Sequence, residues 1–302
     1  MDIYLPVAEM SVNLLLMLGL GGAVGFLSGM FGVGGGFILT PLLIFLGIPP
    51  AVAVGSQAPQ ILAASFTSML SHLRRGTVDL RMGLVLTLGG LVGSIVGILL
   101  FRLLRELGQI DTVISLGYVL FLAAVGLLML AESLRPLIPG LKPPRRRRLH
   151  RHHWLHGLPW RMRFPTSRLY ISALAPLCVG FLGGALAAML GIGGGFVLVP
   201  AMLYLIRMPT SVVIGTSHLQ IAVVAALTTL LHAYANGTVD IVLALLVIAG
   251  GVVGAQYGTR AAVRLPAAQL RVLFALLVLG VCGKLLRDLV VPPPDPFTIA
   301  GL

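Results

Sequence analysis

Charge is what this chain has least of. Only 10% of its 302 residues are Asp, Glu, Lys or Arg, and just 9 are acidic. A soluble domain devotes about a quarter of its residues to charge, so an ordinary water-facing surface is excluded. Cysteine is nearly absent too, and Cys178 and Cys282 both fall in apolar runs, which excludes a disulfide scaffold or a thiolate metal site. No carboxylate lies in the middle of an apolar segment, and no Ser-His-Asp, HExxH or paired-carboxylate arrangement could support hydrolysis. A Walker motif is also missing, so coupling to ATP is excluded. The chain does not read as an enzyme, and it calls for no cofactor and no metal.

What is present is apolar length. Hydrophobic residues make up 58% of the chain, and mean hydropathy is +1.03. A helix crosses a hydrocarbon core of roughly 30 Å with about 20 apolar residues, and such runs follow one another almost end to end. The fold class is therefore an all-α polytopic membrane protein. Its first run is not read as a cleavable signal, because Asp2 and Glu9 flank it where a signal would be basic.

Positive charge is concentrated rather than scarce: ten of the 21 Lys and Arg lie between Arg135 and Arg168. That stretch reads as a cytoplasmic linker beside anionic lipid head groups, not as a nucleic-acid site. His150, His152, His153 and His156 sit among its arginines, which repel a metal cation, and Trp154 and Trp160 suit a membrane interface.

Breaks and polar interruptions divide the first half into Val12–Met30, Phe37–Leu46, Ala51–Leu73, Met82–Leu104 and Thr112–Leu134. The second half gives Leu169–Leu190, Phe196–Ile206, Ser211–His232, Ile241–Val263 and Gln269–Val290. In each half the second piece is too short to span. The halves are copies: GVGGGFILTP at 32–41 matches GIGGGFVLVP at 191–200, Gly55-Ser56 matches Gly215-Thr216, Gln60 matches Gln220, His72 matches His232, and the Gly-Thr-Val-Asp ending at Asp79 matches that ending at Asp240. This predicts a first repeat over 1–134, the basic linker over 135–168, a second repeat over 169–290 and a proline-rich tail over 291–302.

Loop charges set the orientation. The loop Arg74 to Arg81 holds three arginines, whereas its counterpart Ala233 to Asp240 holds no Lys or Arg and the next connection carries Arg260, Arg264 and Arg271. Sidedness is therefore reversed between the copies, which predicts inverted-topology repeats with a solute site where they meet. Both termini are expected outside and the linker inside. Each repeat is expected to contain a glycine-broken first hairpin, full or re-entrant, and three transmembrane helices.

The glycine runs are the first candidate site. Three consecutive glycines destabilise a continuous helix by roughly 1 kcal/mol each, while leaving amides exposed at the start of the next helix, where an anion binds without a charged side chain. Gly34, Gly35, Gly36 and Phe37, with Gly193, Gly194, Gly195 and Phe196, are the candidates; close packing through small residues is the competing explanation. A nucleotide loop is excluded, since no Gly-Lys-Ser/Thr follows. The second constellation is Ser56, Gln57 and Gln60 with Thr216, Ser217, His218 and Gln220, polar groups that are expensive in a membrane unless they meet one another, a cavity or a ligand. His218 stands where the first copy has Ala58, so it is either a titratable group for an asymmetric solute or a histidine bound within its own helix. Asp79 and Asp240 read as helix caps, and His72 and His232 as interfacial.

At the doubled glycine motif with its proline, followed by GSQAPQ and GTSHLQ, the sequence resembles the TauE/SafE, or sulfite exporter, family of membrane transporters, over roughly Leu16 to Asp288. The resemblance implies a prokaryotic inner-membrane transporter of small sulfur-containing anions such as sulfite or organosulfonates, with broken helices meeting between inverted repeats. Gly55-Ser56-Gln57 departs from a plain Gly-Thr-Ser pattern, which leaves selectivity open. The leading expectation is a secondary transporter or exporter of a small anion working by alternating access, with a proton or sodium ion as a conceivable coupling partner and a homo-oligomer as a conceivable assembly. The alternatives are a passive anion channel and a non-transporting scaffold that docks a partner through the basic linker.

Overall fold

The computed structural model describes residues 2–31, 36–134, 160–262 and 267–291. The linker histidines, Trp154, the proline-rich tail, and Gly34 and Gly35 of the first glycine run lie outside the described residues.

Helix α4 (Leu80–Glu106) shows how this composition becomes membrane structure. Leu80, Leu84, Leu88, Val92, Leu99 and Leu103 point outward and are exposed, while Gly89, Gly90, Gly93 and Gly97 are buried. An apolar face turned away from the protein is stable against lipid and unstable against water. Among the described residues four helices are long and apolar enough to cross a membrane, two in each half of the chain. The chain is an all-α polytopic membrane protein.

The other helices are α1 (Leu14–Phe31), α2 (Gly36–Phe45), α3 (Pro50–Arg74), α5 (Ile110–Leu134), α6 (Leu174–Leu190), α7 (Gly195–Pro200), α8 (Thr210–Leu231), α9 (Ile241–Ala262) and α10 (Ala267–Val290). Each expected segment has its helix, with three local differences. Pro200 ends α7 after six residues, and a π-turn over Ala201–Leu205 continues it; proline removes an N–H from the ladder and clashes with the preceding turn. A second π-turn, His232–Asn236, prolongs α8. Two short hairpins were not foreseen, β1 (Asp2–Leu5) with β2 (Met10–Asn13) and β3 (Arg161–Phe164) with β4 (Leu169–Ser172). The stretch beginning at Leu169 therefore starts as a strand, and helix begins at Leu174.

Packing follows an exchange of halves. Helix α1 lies on α9 and, equivalently, α6 lies on α4, while α3 packs on α8 and α5 on α10. The first two pairs are parallel: Gly21 abuts Val247 and Gly25 abuts Gly251, and likewise Gly89 abuts Leu177 and Gly93 abuts Phe181. The pairs of equivalent helices run antiparallel. Gly55 near the start of α3 abuts Thr238 beyond the end of α8, and Gly215 near the start of α8 abuts Thr77 beyond the end of α3.

Each hairpin docks on the half to which it does not belong. The Asp79 side chain caps α4 by accepting from Met82 N at 3.1 Å, and its other oxygen accepts from Ser167 N at 2.9 Å and Ser167 Oγ at 2.6 Å in the β3–β4 turn. Asp240 caps α9 by accepting from Val242 N and Leu243 N, both at 3.1 Å, and from Val7 N at 3.0 Å in the β1–β2 turn. The expected capping role is present, with a second role added. Leu5 and Phe164, one from each hairpin, are buried in two separate apolar cores. The duplication reaches into these hairpins: Pro6 corresponds to Pro165, and Glu9 corresponds to Arg168, both with φ of 52°. Arg105 donates to Asn236 O beyond α8.

Candidate functional site

The second glycine run is an irregular turn held inside protein. Gly191 (φ 65°), Gly193 (φ 76°) and Gly194 (φ 71°) all adopt the left-handed conformation, and the backbone from Gly191 to Phe196 is buried. Irregular backbone at membrane depth survives only where protein or a cavity shields it, because amides facing lipid cost several kcal/mol each. Glycine is required at 193 and 194 for a second reason. A Cβ at Gly193 would meet Ile61 Cγ2 at 2.8 Å, and one at Gly194 would meet Gly183 O at 2.8 Å.

The residues that follow the two glycine runs come together. Phe37 and Phe196, which follow the equivalent runs, contact edge to face with ring centroids 4.1 Å apart. A Cβ on Gly36 would also strike Ile61, so Gly36 and Gly193 both close on that one side chain. A polar chain links the breaks as well. Gln57 Nε2 donates to Gly36 O, Thr40 Oγ1 donates to Gln57 Oε1, Tyr118 lies within hydrogen-bonding reach of Thr40, and the Tyr118 hydroxyl donates to Leu190 O, immediately before Gly191. Gln57, expected to orient a solute, has its amide committed to this brace.

Beside the second break lies a cavity of about 10 Å³ lined by Ala58, Ile61, Ala187, Gly191, Gly193, Ala225 and Thr228. That is room for about one water molecule. The Thr228 hydroxyl is buried without a partner among the described residues, as are Gln60 Oε1 and Gln220 Oε1. Those glutamines occupy equivalent places. Gln60 Nε2 lies against Gly251 on α9, and Gln220 Nε2 against Gly90 on α4. An unpaired buried amide oxygen costs about 1–3 kcal/mol, so these groups suit a ligand or water that completes them.

The remaining candidates do other work. Ser56 Oγ accepts from Asp240 N at 2.8 Å, and the equivalent Thr216 Oγ1 accepts from Asp79 N at 3.0 Å. Each ties its helix to the opposite half's α-helical loop rather than facing the breaks. Ser217 Oγ donates to Ile214 O within its own helix. His218 also bonds Ile214 O, and its ring faces His72. His232, expected at the interface, is fully buried, with Nε2 on Ala188 O at 2.9 Å and Nδ1 on Asn236 Nδ2 at 3.1 Å. Thr40, Ile61, Tyr118 and Thr228 were not singled out from the sequence. A hydroxyl midway along an apolar helix was the available signal for Tyr118 and Thr228.

No charged side chain lines the meeting of the breaks among the described residues. Hydroxyls and amide side chains supply its polarity. The chain is 34% identical over 279 residues to a "Probable membrane transporter protein" of Xylella fastidiosa strain 9a5c, covering 89% of this chain and 93% of that protein. It is 30% identical over 275 residues to "Probable membrane transporter protein YjnA" of Bacillus subtilis strain 168, covering 89% and 97%. A shorter match, 29% over 103 residues, covers 33% of this chain and 23% of "Sulfite exporter TauE/SafE family protein 1" of Arabidopsis thaliana. No solved structure matches the chain significantly. The profile described as "Sulfite exporter TauE/SafE" matches residues 17–285. With Phe37 and Phe196, which follow the duplicated glycine runs, packed against each other inside an apolar bundle, and with these relatives, the chain belongs to the sulfite exporter TauE/SafE family of membrane transporters.

Proposed function

We propose that this transporter moves a small oxyanion, sulfite or an organosulfonate, by alternating access at the interface of two inverted-topology repeats, 1–134 and 169–290. The observation that carries this reading is the convergence of Gly36 and Gly193 on Ile61, with Phe37 against Phe196. Amides at the glycine breaks bind the anionic group, and Gln60, Gln220 and Thr228 complete its hydrogen bonds. Antiparallel pairing of α3 with α8 supports the inverted arrangement, and the sulfite exporter name of the Arabidopsis thaliana relative supports the solute class. The protein sits in the prokaryotic inner membrane, with the basic linker cytoplasmic against anionic lipid and both termini outside. Docking of the β1–β2 turn on Asp240 and of the β3–β4 turn on Asp79 agrees with that sidedness.

Two measurements test the reading. In proteoliposomes, saturable uptake of sulfite, sulfoacetate and taurine is compared for wild type, Gln60→Ala and Gln220→Ala. Losing a buried hydrogen bond to a charged ligand is worth about 1.5–3 kcal/mol, so each variant should lower apparent affinity roughly tenfold or more; equal flux in all three would sink the site. For topology, Arg75→Cys and Tyr234→Cys are labelled in a background lacking Cys178 and Cys282. Both positions are exposed, and they should label from opposite sides of the membrane.

A further inference from the structure

Where α3 meets α8, two histidines from opposite halves face each other. The His72 and His218 rings are nearly parallel, 17° apart, with centroids 6.1 Å apart. Their hydrogen bonds fix their tautomers. His218 Nδ1 lies 2.7 Å from Ile214 O, which can only accept, so this nitrogen carries the proton. His72 Nδ1 lies 2.9 Å from Thr77 Oγ1, whose own proton goes to His72 O at 3.2 Å, so here too Nδ1 donates. Both rings therefore keep Nε2 free, and neither Nε2 has a partner among the described residues. His232, the counterpart of His72, uses both of its nitrogens inside the protein.

The exchange of halves says what lies beside this pair. The apolar cavity at the second break is lined by Ala58, Ile61, Ala225 and Thr228. Their counterparts are His218, Ile221, Ser65 and Ser68. The equivalent positions in the other half are thus polar, with Ser65, Ser68 and His72 at successive turns of one α3 face.

We propose that His72 and His218, with the Ser65 and Ser68 hydroxyls, form a proton-dependent oxyanion site on the Asp79 side of the bundle, distinct from the glycine breaks and feeding them. It rests on the reading that the solute is an anion. With both rings neutral, Nε2 presents lone pairs and repels an oxyanion. Protonation from solvent turns each Nε2 into a charged donor, and one tetrahedral anion can engage both rings. Charged neighbours favour the anion. Arg75 acts electrostatically on His72, and His72 on His218. Arg74 and Arg81 flank the same loop, Arg207 precedes α8, and Arg161, Arg163 and Arg168 stand on the docked hairpin. The carboxylate of that loop, Asp79, is committed to Met82 and Ser167. The solute therefore arrives with protons, so its binding is coupled to pH at this mouth and not at the other.

Methanesulfonate, which stays ionised throughout, is the probe, and inorganic sulfate the second anion. Full-length protein in nanodiscs with labelled histidine rings is titrated between about pH 8 and about pH 5.5, either side of the ordinary imidazole midpoint of about 6.5. Both rings should show the Nδ1–H tautomer at high pH. Methanesulfonate should raise both midpoints, and by reciprocity its affinity should rise up to about tenfold per pH unit of acidification for each proton taken up. His72→Gln and His218→Gln should each flatten that dependence. Wild-type midpoints that ignore both anions overturn the site, as does an undiminished pH slope in both variants. Gln60→Ala separates the two ideas. Uptake that falls in Gln60→Ala while the midpoints ignore anions leaves the glycine-break reading standing alone. Anion-sensitive midpoints with uptake indifferent to Gln60→Ala leave the histidine site standing without it.

Discussion

Replacing Gly93 with leucine is expected to prevent assembly of the folded bundle. A Cβ alone at this position would stand 2.0 Å from Phe181 O, and 2.7 Å from the carbonyl carbon behind it. These are atoms of a helix backbone, which cannot swing aside as a side-chain tip can. The contact is one of a set: Gly89 faces Leu177 O at 2.1 Å, Gly180 faces Leu86 O at 2.1 Å, and Gly184 faces Gly90 O at 2.0 Å, all between α4 and α6. In a membrane, helix association depends on such close approach, since lipid is as apolar as leucine and supplies no hydrophobic drive. Forcing the pair apart would lose the whole seam, so the expected loss is at least about 3 kcal/mol, beyond ordinary overpacking. Gly19 is the control. A Cβ there meets nothing within 4 Å, and Gly19→Leu should stay within about 0.5 kcal/mol of wild type. Thermal unfolding followed by size-exclusion of detergent-solubilised protein compares the two; equal melting would mean that the helices are not in this contact.

The second large effect is expected at Asp79. Its carboxylate is fully buried and accepts three hydrogen bonds, one from the first turn of α4 and two from the β3–β4 turn. Asp79→Asn keeps the shape and one acceptor oxygen but turns an NH₂ toward either the helix N–H or the serine pair. A donor then faces a donor in a site closed to water, at a cost of about 2–5 kcal/mol. The β3–β4 turn should detach, carrying Phe164 out of its core. Its measure is the labelling rate of Ser167→Cys, expected to rise at least about tenfold in Asp79→Asn. Asp240→Asn should release the β1–β2 turn at Val7 by the same reasoning, without altering labelling at position 167. If position 167 is equally reactive with aspartate or asparagine at 79, the carboxylate does not hold the turn.

These two residues illustrate how differently the sequence speaks about packing and about docking. Asp79 was legible as a cap because a cap is local: the side chain reaches N–H groups three residues on, and Gly-Thr-Val-Asp before an apolar run announces it. Its second task, holding Ser167, joins residues 88 positions apart, and no periodicity reports such a partner. The hairpins escaped notice for a related reason. Strands of four residues carry too few alternations to stand out, although Pro6 and Pro165 sit at the same offset as the glycine runs.

The site divides along the same line. Duplication marked Gly36 with Gly195, Phe37 with Phe196 and Gln60 with Gln220 as pairs, and their burial in a lipid-facing chain follows from composition. Ser56 and Thr216 were equally visible as a pair, yet the fold turns them to opposite loops, and Gln57 is taken up by Gly36 and Thr40. Helix spacing tells which residues share a face; it does not tell which helix that face will meet.

By itself, then, the sequence determined that the chain is a duplicated, helical membrane protein broken at two glycine runs, because hydrophobic length, backbone freedom at glycine and helix capping all act within a few residues. Tertiary structure alone decided that Phe37 touches Phe196, that His72 looks at His218, and that each hairpin docks on the opposite half. Those outcomes follow from antiparallel docking of equivalent helices, which brings the start of each against the end of the other and so joins residues that are far apart along the chain.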